Sequence, residues 1–273
     1  MKKKIAIIGH GYVGKAVECG FNNSKNKIQL IDPNLYNNGV KDVENSFVSF
    51  ICVPTPSNLD NSIDASIVID VVDKLIEITT GLIVIKSTVT PPVVKKLSNK
   101  NSRVIYNPEF LTERNAFHDF LNPSMHVFGG YKNETSILYN FYNTNSNCIS
   151  APAYFMSAVE ASFVKYGINS FLATKVLWFN QYKDLIDSFG VDYNTIRNAI
   201  GGDPRIGHHH TQVPGYDGKR GFGGACFPKD TSALTKIDSN FLSILRLVVN
   251  ENNIYRGEYP IGVREKEQNI TFD

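Results

Sequence analysis

The sequence predicts an α/β protein: a Rossmann-like, doubly wound parallel sheet followed by a mostly α-helical domain with a long central helix. Three observations point there. Short continuous apolar runs alternate with helix-spaced segments through residues 1–152. A glycine-rich turn, Gly9-His10-Gly11-Tyr12-Val13-Gly14, follows the first run. From Tyr154 to Phe189 there is no proline and one glycine, Gly167. Parallel strands buried on both faces read as continuous apolar runs, and strand–helix alternation implies right-handed crossovers. The expected division is a sheet domain over 1–152, a helical domain over 153–256 and a polar tail over 257–273.

Each element has its own signal. Lys4–Ile8 is a short apolar run, and helical spacing then extends to Phe21. Ile28–Ile31 reads as the second strand, ending at Asp32, and Phe47–Val53 as the third, stopped by Pro54 and Pro56. Asp64–Glu77 places Ile67, Val68, Val71, Val72 and Leu75 on one helical face. Leu82–Lys86, Val104–Tyr106 and Met125–Phe128 complete the strands. Tyr154–Phe189 reads as one helix of about 50 Å at 1.5 Å per residue. Asp192–Ile200 is a short helix, and Gly201–Gly224, rich in Gly, Pro and His, an excursion loop. Phe241–Tyr255 is a last amphipathic helix, and the chain from Gly257 is expected to fray.

Composition excludes several classes. The 273 residues suit one or two domains. Hydrophobic residues at 42% and charged residues at 20% fit a soluble globular protein. A net charge of +2 gives no electrostatic case for nucleic acid or an anionic membrane as partner. Four irregularly spaced cysteines do not form a disulfide framework. The adjacent histidines 208–210 lack a second ligand set, so no metal is expected. The start MKKKIAII opens like a signal peptide but breaks at Gly9-His10-Gly11. No window approaches a membrane span. The expectation is a cytoplasmic protein with reduced thiols.

The turn at Gly9–Gly14 follows a strand and opens a helix, the context that gives a GxGxxG pattern meaning. Gly9 permits the tight turn, Gly11 lets backbone approach a pyrophosphate, and Gly14 lets helix and strand pack closely. The helix N-terminus then offers free N–H groups to the anion. Asp32 closes the second strand, 18 residues beyond Gly14. A carboxylate there accepts from both ribose hydroxyls and repels a 2′-phosphate, so NAD is expected over NADP.

A second cluster lies near the C-terminus, in Gly221-Phe222-Gly223-Gly224-Ala225-Cys226-Phe227-Pro228-Lys229-Asp230. Glycines there allow close approach to a substrate, and Pro228 stiffens the exit. A free thiol titrates near ~8.5, and Lys229 or a helix starting at Pro228 would favour the thiolate. Cys19, Cys52 and Cys148 read as small buried apolar residues. Lys165 and Asn169, four apart on the long helix, share one face and could hold a developing oxyanion. Glu109 and Glu113 follow the strand at 104–106, and Ser87 and Thr88 follow another strand end. In this fold class ligands sit at the C-terminal ends of parallel strands. A nicotinamide cofactor with a nucleophilic cysteine suggests oxidation of a primary alcohol to a carboxylate. The aldehyde must become tetrahedral before a second hydride can leave, and a thiolate makes it so.

In order along the chain, GHGYVG (9–14), ICVPTP (51–56), KSTV (86–89), NPEFLTE (107–113), VEASFVKYGINSFLATKV (159–176), DPRIG (203–207) and GFGGACFPKD (221–230) resemble the UDP-glucose 6-dehydrogenase family. The resemblance implies Cys226 as nucleophile, Lys165 and Asn169 as oxyanion stabilisers, and Asp230 holding a water beside Lys165. Glu109 would activate water for thioester hydrolysis, with Thr88 positioning it. NAD would be contacted by Gly9, Gly11, Tyr12, Val13, Gly14, Asp32, Val53, Pro54, Thr55, Ser87, Thr88 and Glu113. The nucleotide-sugar substrate would meet Glu109, Phe110, Leu111, Lys165, Asn169, Phe222, Gly223 and Cys226. Arg205 would reach a neighbouring subunit's site in a homodimer built on the helix around 154–189.

Departures from the family pattern set further expectations. The chain reads as a compact form without the family's second nucleotide-binding domain. The 208–220 loop is longer than usual and could offer Lys219 or Arg220 to a phosphate. PNLYNN after Asp32 lacks a basic residue for the cofactor. UDP-glucose oxidation to UDP-glucuronate is the leading expectation. GDP-mannose or an N-acetylhexosamine nucleotide is the alternative substrate, and an NAD-binding paralogue without turnover the alternative function.

Overall fold

A computed structural model describes residues 1–238 and 240–272. The chain forms two compact units: Met1–Thr55 with Asp64–Lys165, and Pro56–Ile63 with Tyr166–Asp273. The division falls inside the long helix rather than near residue 152.

The first unit is built on one seven-stranded sheet in the order β2-β1-β3-β4-β5-β6-β7. The strands are β1 (Lys3–Ile8), β2 (Asn26–Ile31), β3 (Val48–Ile51), β4 (Leu82–Ile85), β5 (Val104–Tyr106), β6 (His126–Gly129) and β7 (Ala153–Met156). Every neighbouring pair is parallel except β5 and β6, which meet antiparallel at Tyr106 and Gly129. Helices α1 (Tyr12–Phe21), α2 (Pro33–Tyr36), α3 (Ser66–Ile78), α4 (Pro91–Ser98), α5 (Ala116–Leu121) and α6 (Lys132–Asn145) connect them, with a 3₁₀ turn at Val40–Asp42. Ile7, Phe50, Val84, Ile105 and Phe128 are completely buried in one core. Each such side chain contributes roughly 1.5–3 kcal/mol. Because β1 lies between β2 and β3, the strand order reverses at the C-terminal ends of β1 and β3, the place where this architecture binds ligands.

Two differences from the sequence reading arise here. Tyr154 belongs to β7, paired in parallel with β6, and not to the long helix. Tyr154 and Phe155 are about half exposed on this edge strand, so the run lacks the apolar signature of a buried strand. Ile67, expected on the buried face of α3, is 44% exposed; Val68, Val71, Val72 and Leu75 form that face.

The long helix is α7 (Ala158–Ser188). Beyond Tyr166 it belongs to the second unit, with α8 (Tyr193–Gly201), α9 (Phe227–Ile237), α10 (Ser243–Gly257) and α11 (Val263–Lys266). The Asp192 side chain caps α8 by accepting from Asn194 N and Thr195 N. Pro228 sits in the first turn of α9, where its missing N–H costs nothing. Tyr166, Ala173, Leu177, Phe222, Ala233, Leu234, Leu245 and Val248 form one core cluster. Residues 257–272, expected to fray, are packed instead: Glu265 is 2% exposed and Ile270 5%. The reason is an ion pair from Glu265 to Arg256 of α10, which no local pattern announces. Asp273 lies outside the described residues.

Candidate active site

The expected site residues fall into two groups, one in each unit. In the first unit the glycine turn has the stereochemistry its motif requires. Gly9 has φ +85°, and a Cβ there would lie 2.7 Å from the carbonyl oxygen of Cys52. A Cβ on Gly14 would lie 2.1 Å from the Gly9 carbonyl oxygen, so only glycine lets α1 start this close to β1. A Cβ on Gly11 would meet nothing within 4 Å, so the protein itself does not demand glycine there and the backbone stands open. Gly11 is the N-cap of α1 with no side-chain cap, and the first turn holds no acidic residue. Free N–H groups at that end suit a phosphate anion. Asp32 accepts from Asn34 N through Oδ1 (3.0 Å) and from His10 N through Oδ2 (2.9 Å). The carboxylate is only partly buried, which leaves acceptor capacity for a ribose. These features fit a dinucleotide such as NAD.

His10 lacked any assignment in the sequence reading. It is 6% exposed, with Nε2 2.8 Å from Glu18 Oε2 and Nδ1 2.8 Å from Tyr36 Oη. It therefore ties the glycine turn to α1 and α2. Ser87 is 7% exposed and donates its hydroxyl to the Val53 carbonyl oxygen at 2.6 Å. That bond joins the ends of β4 and β3 and commits the Ser87 proton to the protein. Thr55 is buried, Val53 and Thr88 are half-buried, and Pro54 is exposed. The Tyr12 hydroxyl donates to the carbonyl of Thr112, next to the exposed Glu113. Val13 packs against the sheet core.

Glu109 leaves the end of β5 and is 8% exposed. Its Oε2 accepts from Leu111 N (2.6 Å), and its Oε1 from Lys165 Nζ (2.9 Å). Lys165, 3% exposed, also donates to the Glu109 carbonyl oxygen at 2.7 Å, with its ammonium 5.5 Å from the Phe110 ring centroid. Two bonds from one ammonium fix the Glu109 carboxylate relative to its own backbone. Phe110 and Leu111 are half-buried.

Behind Glu109 lies a buried polar cluster that the sequence did not signal. Lys86 donates to Asn107 Oδ1 (3.1 Å), Tyr142 donates to the same oxygen (2.9 Å), and Asn107 Nδ2 donates to the Val127 carbonyl (2.7 Å). Burial pulls the Lys86 ammonium down to about 8, with Cys52 and Glu109 opposing. Burial also pushes the Cys52 thiol up to about 12, so it stays protonated and inert. Burial, with Lys86 adding to it, lowers His126 to about 4.

In the second unit Cys226 is the N-cap of α9, exposed and outside any disulfide. That position is the positive end of the helix dipole. One turn on, Asp230 is 1% exposed and its N donates to the Cys226 carbonyl oxygen at 2.8 Å. Asp230 Oδ2 accepts from Asn169 Nδ2 and Oδ1 from Lys229 Nζ, both at 2.6 Å. Asn169 and Lys229 are themselves 6% and 5% exposed. The two carboxylate oxygens thus face one amide and one ammonium in a dry setting, where charge-assisted bonds are strong.

Other expected residues have roles the sequence did not suggest. Phe222, expected to line the substrate site, is 3% exposed and turns its ring into the core against Phe227. Its backbone is held as well, with N donating to Asn252 Oδ1 at 2.6 Å and the carbonyl oxygen accepting from Asn252 Nδ2 at 3.0 Å. At Gly223 a Cβ would lie 2.3 Å from Arg256 Nη2 and would push the buried guanidinium aside. Lys219 donates to the Pro260 carbonyl oxygen at 2.6 Å, and Arg220 pairs with Asp184 at 2.7 Å, so both cations already hold partners. Arg205 is exposed and pairs with Asp203 two residues away. His210 packs 5.5 Å from the Phe227 ring, and burial lowers its basicity. Among the described residues no group of three or more His, Cys, Asp or Glu is placed to hold a metal.

A doubly wound sheet with an open glycine turn and an acid at the end of β2 defines a dinucleotide-binding α/β protein. Comparison with known proteins narrows the class. Residues 34–145 match the NAD binding domain of the UDP-glucose/GDP-mannose dehydrogenase family, and residues 159–253 match its central domain. The UDP-glucose 6-dehydrogenase of Rickettsia bellii is 37% identical over 224 residues, which is 78% of this chain and 50% of the relative. YtcA of Bacillus subtilis is 30% identical over 305 residues, covering 94% of this chain and 69% of its own length. Among solved structures, a UDP-glucose dehydrogenase from Pyrobaculum islandicum superposes with a TM-score of 0.80 at 26% identity, covering 93% of this chain and 68% of that one. The chain belongs to the UDP-glucose/GDP-mannose dehydrogenase family and carries its NAD-binding domain. It spans about half the length of the first curated relatives it matches. Among the described residues no helix is long and apolar enough to cross a membrane.

Proposed function

We propose that this protein oxidises the C6 hydroxymethyl group of a nucleotide sugar to a carboxylate, with UDP-glucose as the first candidate. The observation that carries this reading is the cysteine loop. Cys226 caps α9, and Asp230 one turn later is held by Asn169 and Lys229. A binding module would not need a thiol at a helix N-terminus backed by a buried carboxylate. The names of the relatives support the substrate class, since those quoted above for Rickettsia bellii and Pyrobaculum islandicum are UDP-glucose dehydrogenases.

NAD, which Gly9–Gly14 and Asp32 would hold, would accept the hydride in each of the two oxidations. In the first, the carbon loses a hydride, the alcohol proton passes through a water held by Asp230 to solvent, and the carbon becomes an aldehyde. The Cys226 thiolate then adds to the aldehyde carbon, forming a C–S bond and a thiohemiacetal oxyanion. Lys165 and Asn169 stabilise that oxyanion. Loss of the second hydride gives a thioester. Glu109 takes a proton from the water that attacks the thioester carbonyl, and Thr88 would help position that water. The C–S bond breaks, Cys226 leaves as thiolate, and the water oxygen ends in the carboxylate. Ser87, Tyr12 and Glu113 would contact the cofactor.

The partner is a second copy of the chain, docked through α7. Phe171, Trp178 and Leu185 follow one another at seven-residue spacing and are 69%, 50% and 53% exposed. Such a stripe forms one seam along a helix. Arg205, exposed and paired with Asp203 two residues away, would then reach the neighbouring site.

A panel of UDP-glucose, GDP-mannose and UDP-N-acetylhexosamines, assayed for NADH release, tests the reading. NADH formation with UDP-glucose is expected. Silence with every sugar, while NAD still binds in calorimetry, would favour a binder without turnover.

A further inference from the structure

We propose that Glu265 and Arg256 are positioning residues that hold the Gly223-Gly224 segment, and through it Cys226, in its working place. This inference rests on the role assigned to Cys226 above. Arg256 is 2% exposed on α10. Its Nη1 donates to Asp217 Oδ2 at 2.7 Å and its Nη2 to Glu265 Oε1 at 2.5 Å. Glu265, 2% exposed on α11, uses the same Oε1 to accept from Gly224 N at 3.2 Å. Its Oε2 accepts from Gly262 N. The guanidinium presses so closely on Gly223 that any Cβ would collide with it. One buried carboxylate therefore joins the residues just before Cys226 to a segment some forty positions later in the chain.

Charge makes this contact stiff. A buried carboxylate or guanidinium separated from its partner is left without water and without compensation. The 223–224 segment cannot move away without breaking the Gly224 bond and crowding or exposing Arg256. Gly224 has φ +79°, a left-handed conformation that frees the chain to turn here but does not fix where it goes. The carboxylate supplies what the glycine pair lacks. Residues 258–272 are thus part of the apparatus that aims the thiol.

The test uses Glu265→Ala and the near-isosteric Glu265→Gln in the full chain. Two readouts are taken: steady-state kinetics with the active nucleotide sugar, and the pH profile of Cys226 alkylation by iodoacetamide, read by mass spectrometry. Glu265→Ala is expected to lower kcat by roughly tenfold to a hundredfold, because small misplacement of a reacting group costs that much, with the KM for NAD unchanged. Its alkylation profile is expected to differ from wild type, with Glu265→Gln intermediate in both readouts. Should Glu265→Ala fail to fold, Glu265→Gln decides. A folded Glu265→Gln with wild-type kcat and wild-type alkylation profile overturns the proposal, as does an equal loss of NAD affinity and kcat, which marks general loosening. If the wild type oxidises no nucleotide sugar, the functional reading fails on that result alone, and the alkylation profiles still decide the positioning role.

Discussion

At Gly14 the protein has no room for even one carbon. A Cβ there would sit 2.1 Å from the Gly9 carbonyl oxygen, so Gly14→Ala must push α1 away from the glycine turn. The expected cost is roughly 1–3 kcal/mol of stability, the usual penalty for overpacking, with a larger loss of NAD affinity; denaturant unfolding and calorimetric titration measure the two. Lys86 supports a pH prediction. Its folded value of about 8 lies below its ordinary 10.5, so the folded state sheds this proton before the unfolded state does. Below pH 8 both states carry it, and the full burial penalty is present. Between pH 8 and 10.5 the unfolded chain binds more protons, so the penalty fades as pH rises. Cys52, raised to about 12, acts in the opposite sense above pH 9, so wild type must be compared with Lys86→Met. The stability of wild type relative to Lys86→Met should rise by about 2 kcal/mol from pH 7 to pH 10. A difference that stays constant would mean Lys86 is not charged and buried as described. The residue types at the site were legible in the sequence because glycine turns and a charged cysteine loop are unusual chemistry. Their partners were not. Nothing in the spacing says that Lys165 bonds Glu109 or that Asn169 bonds Asp230, because those pairings join elements far apart in the chain.

Elements with one dominant signal were read closely. Val104–Tyr106 is β5 with the expected ends, and Asp192 caps α8 where the helix was expected to start. The misses have physical causes. α6, in KNETSILYNFYNTN, carries four asparagines and has a weak apolar stripe. β7 is an exposed edge strand with two half-exposed aromatics. α11 is a four-residue helix held by Glu265 rather than by its own propensity. The long helix carries the prediction at this scale. Trp178 is half exposed at the centre of the stripe that includes Phe171 and Leu185, and Trp178→Arg puts a charge into that seam. Light scattering should show twice the chain mass for wild type and the single chain mass for Trp178→Arg. Wild type that already runs at one chain mass would dispose of the docking face.

For the molecule as a whole, the division of labour follows from which unit holds which chemistry. The sheet unit holds the glycine turn, Asp32 and the Glu109–Lys165 pair; the helical unit holds Cys226, Asp230 and Asn169. Fold class and family were legible because strand–helix alternation and motif order are properties of the whole chain. The ordering of residues 257–272 was not, because it depends on ion pairing with residues met earlier in the sequence. The central claim is that one cysteine carries an aldehyde through a second oxidation. The most direct measurement is the ratio of NADH to uronate product from purified protein, with Cys226→Ser assayed beside it. Two NADH per acid from wild type and no acid from Cys226→Ser is the expected result. One NADH per sugar with free aldehyde as product, or acid formed by Cys226→Ser at the wild-type rate, would contradict it.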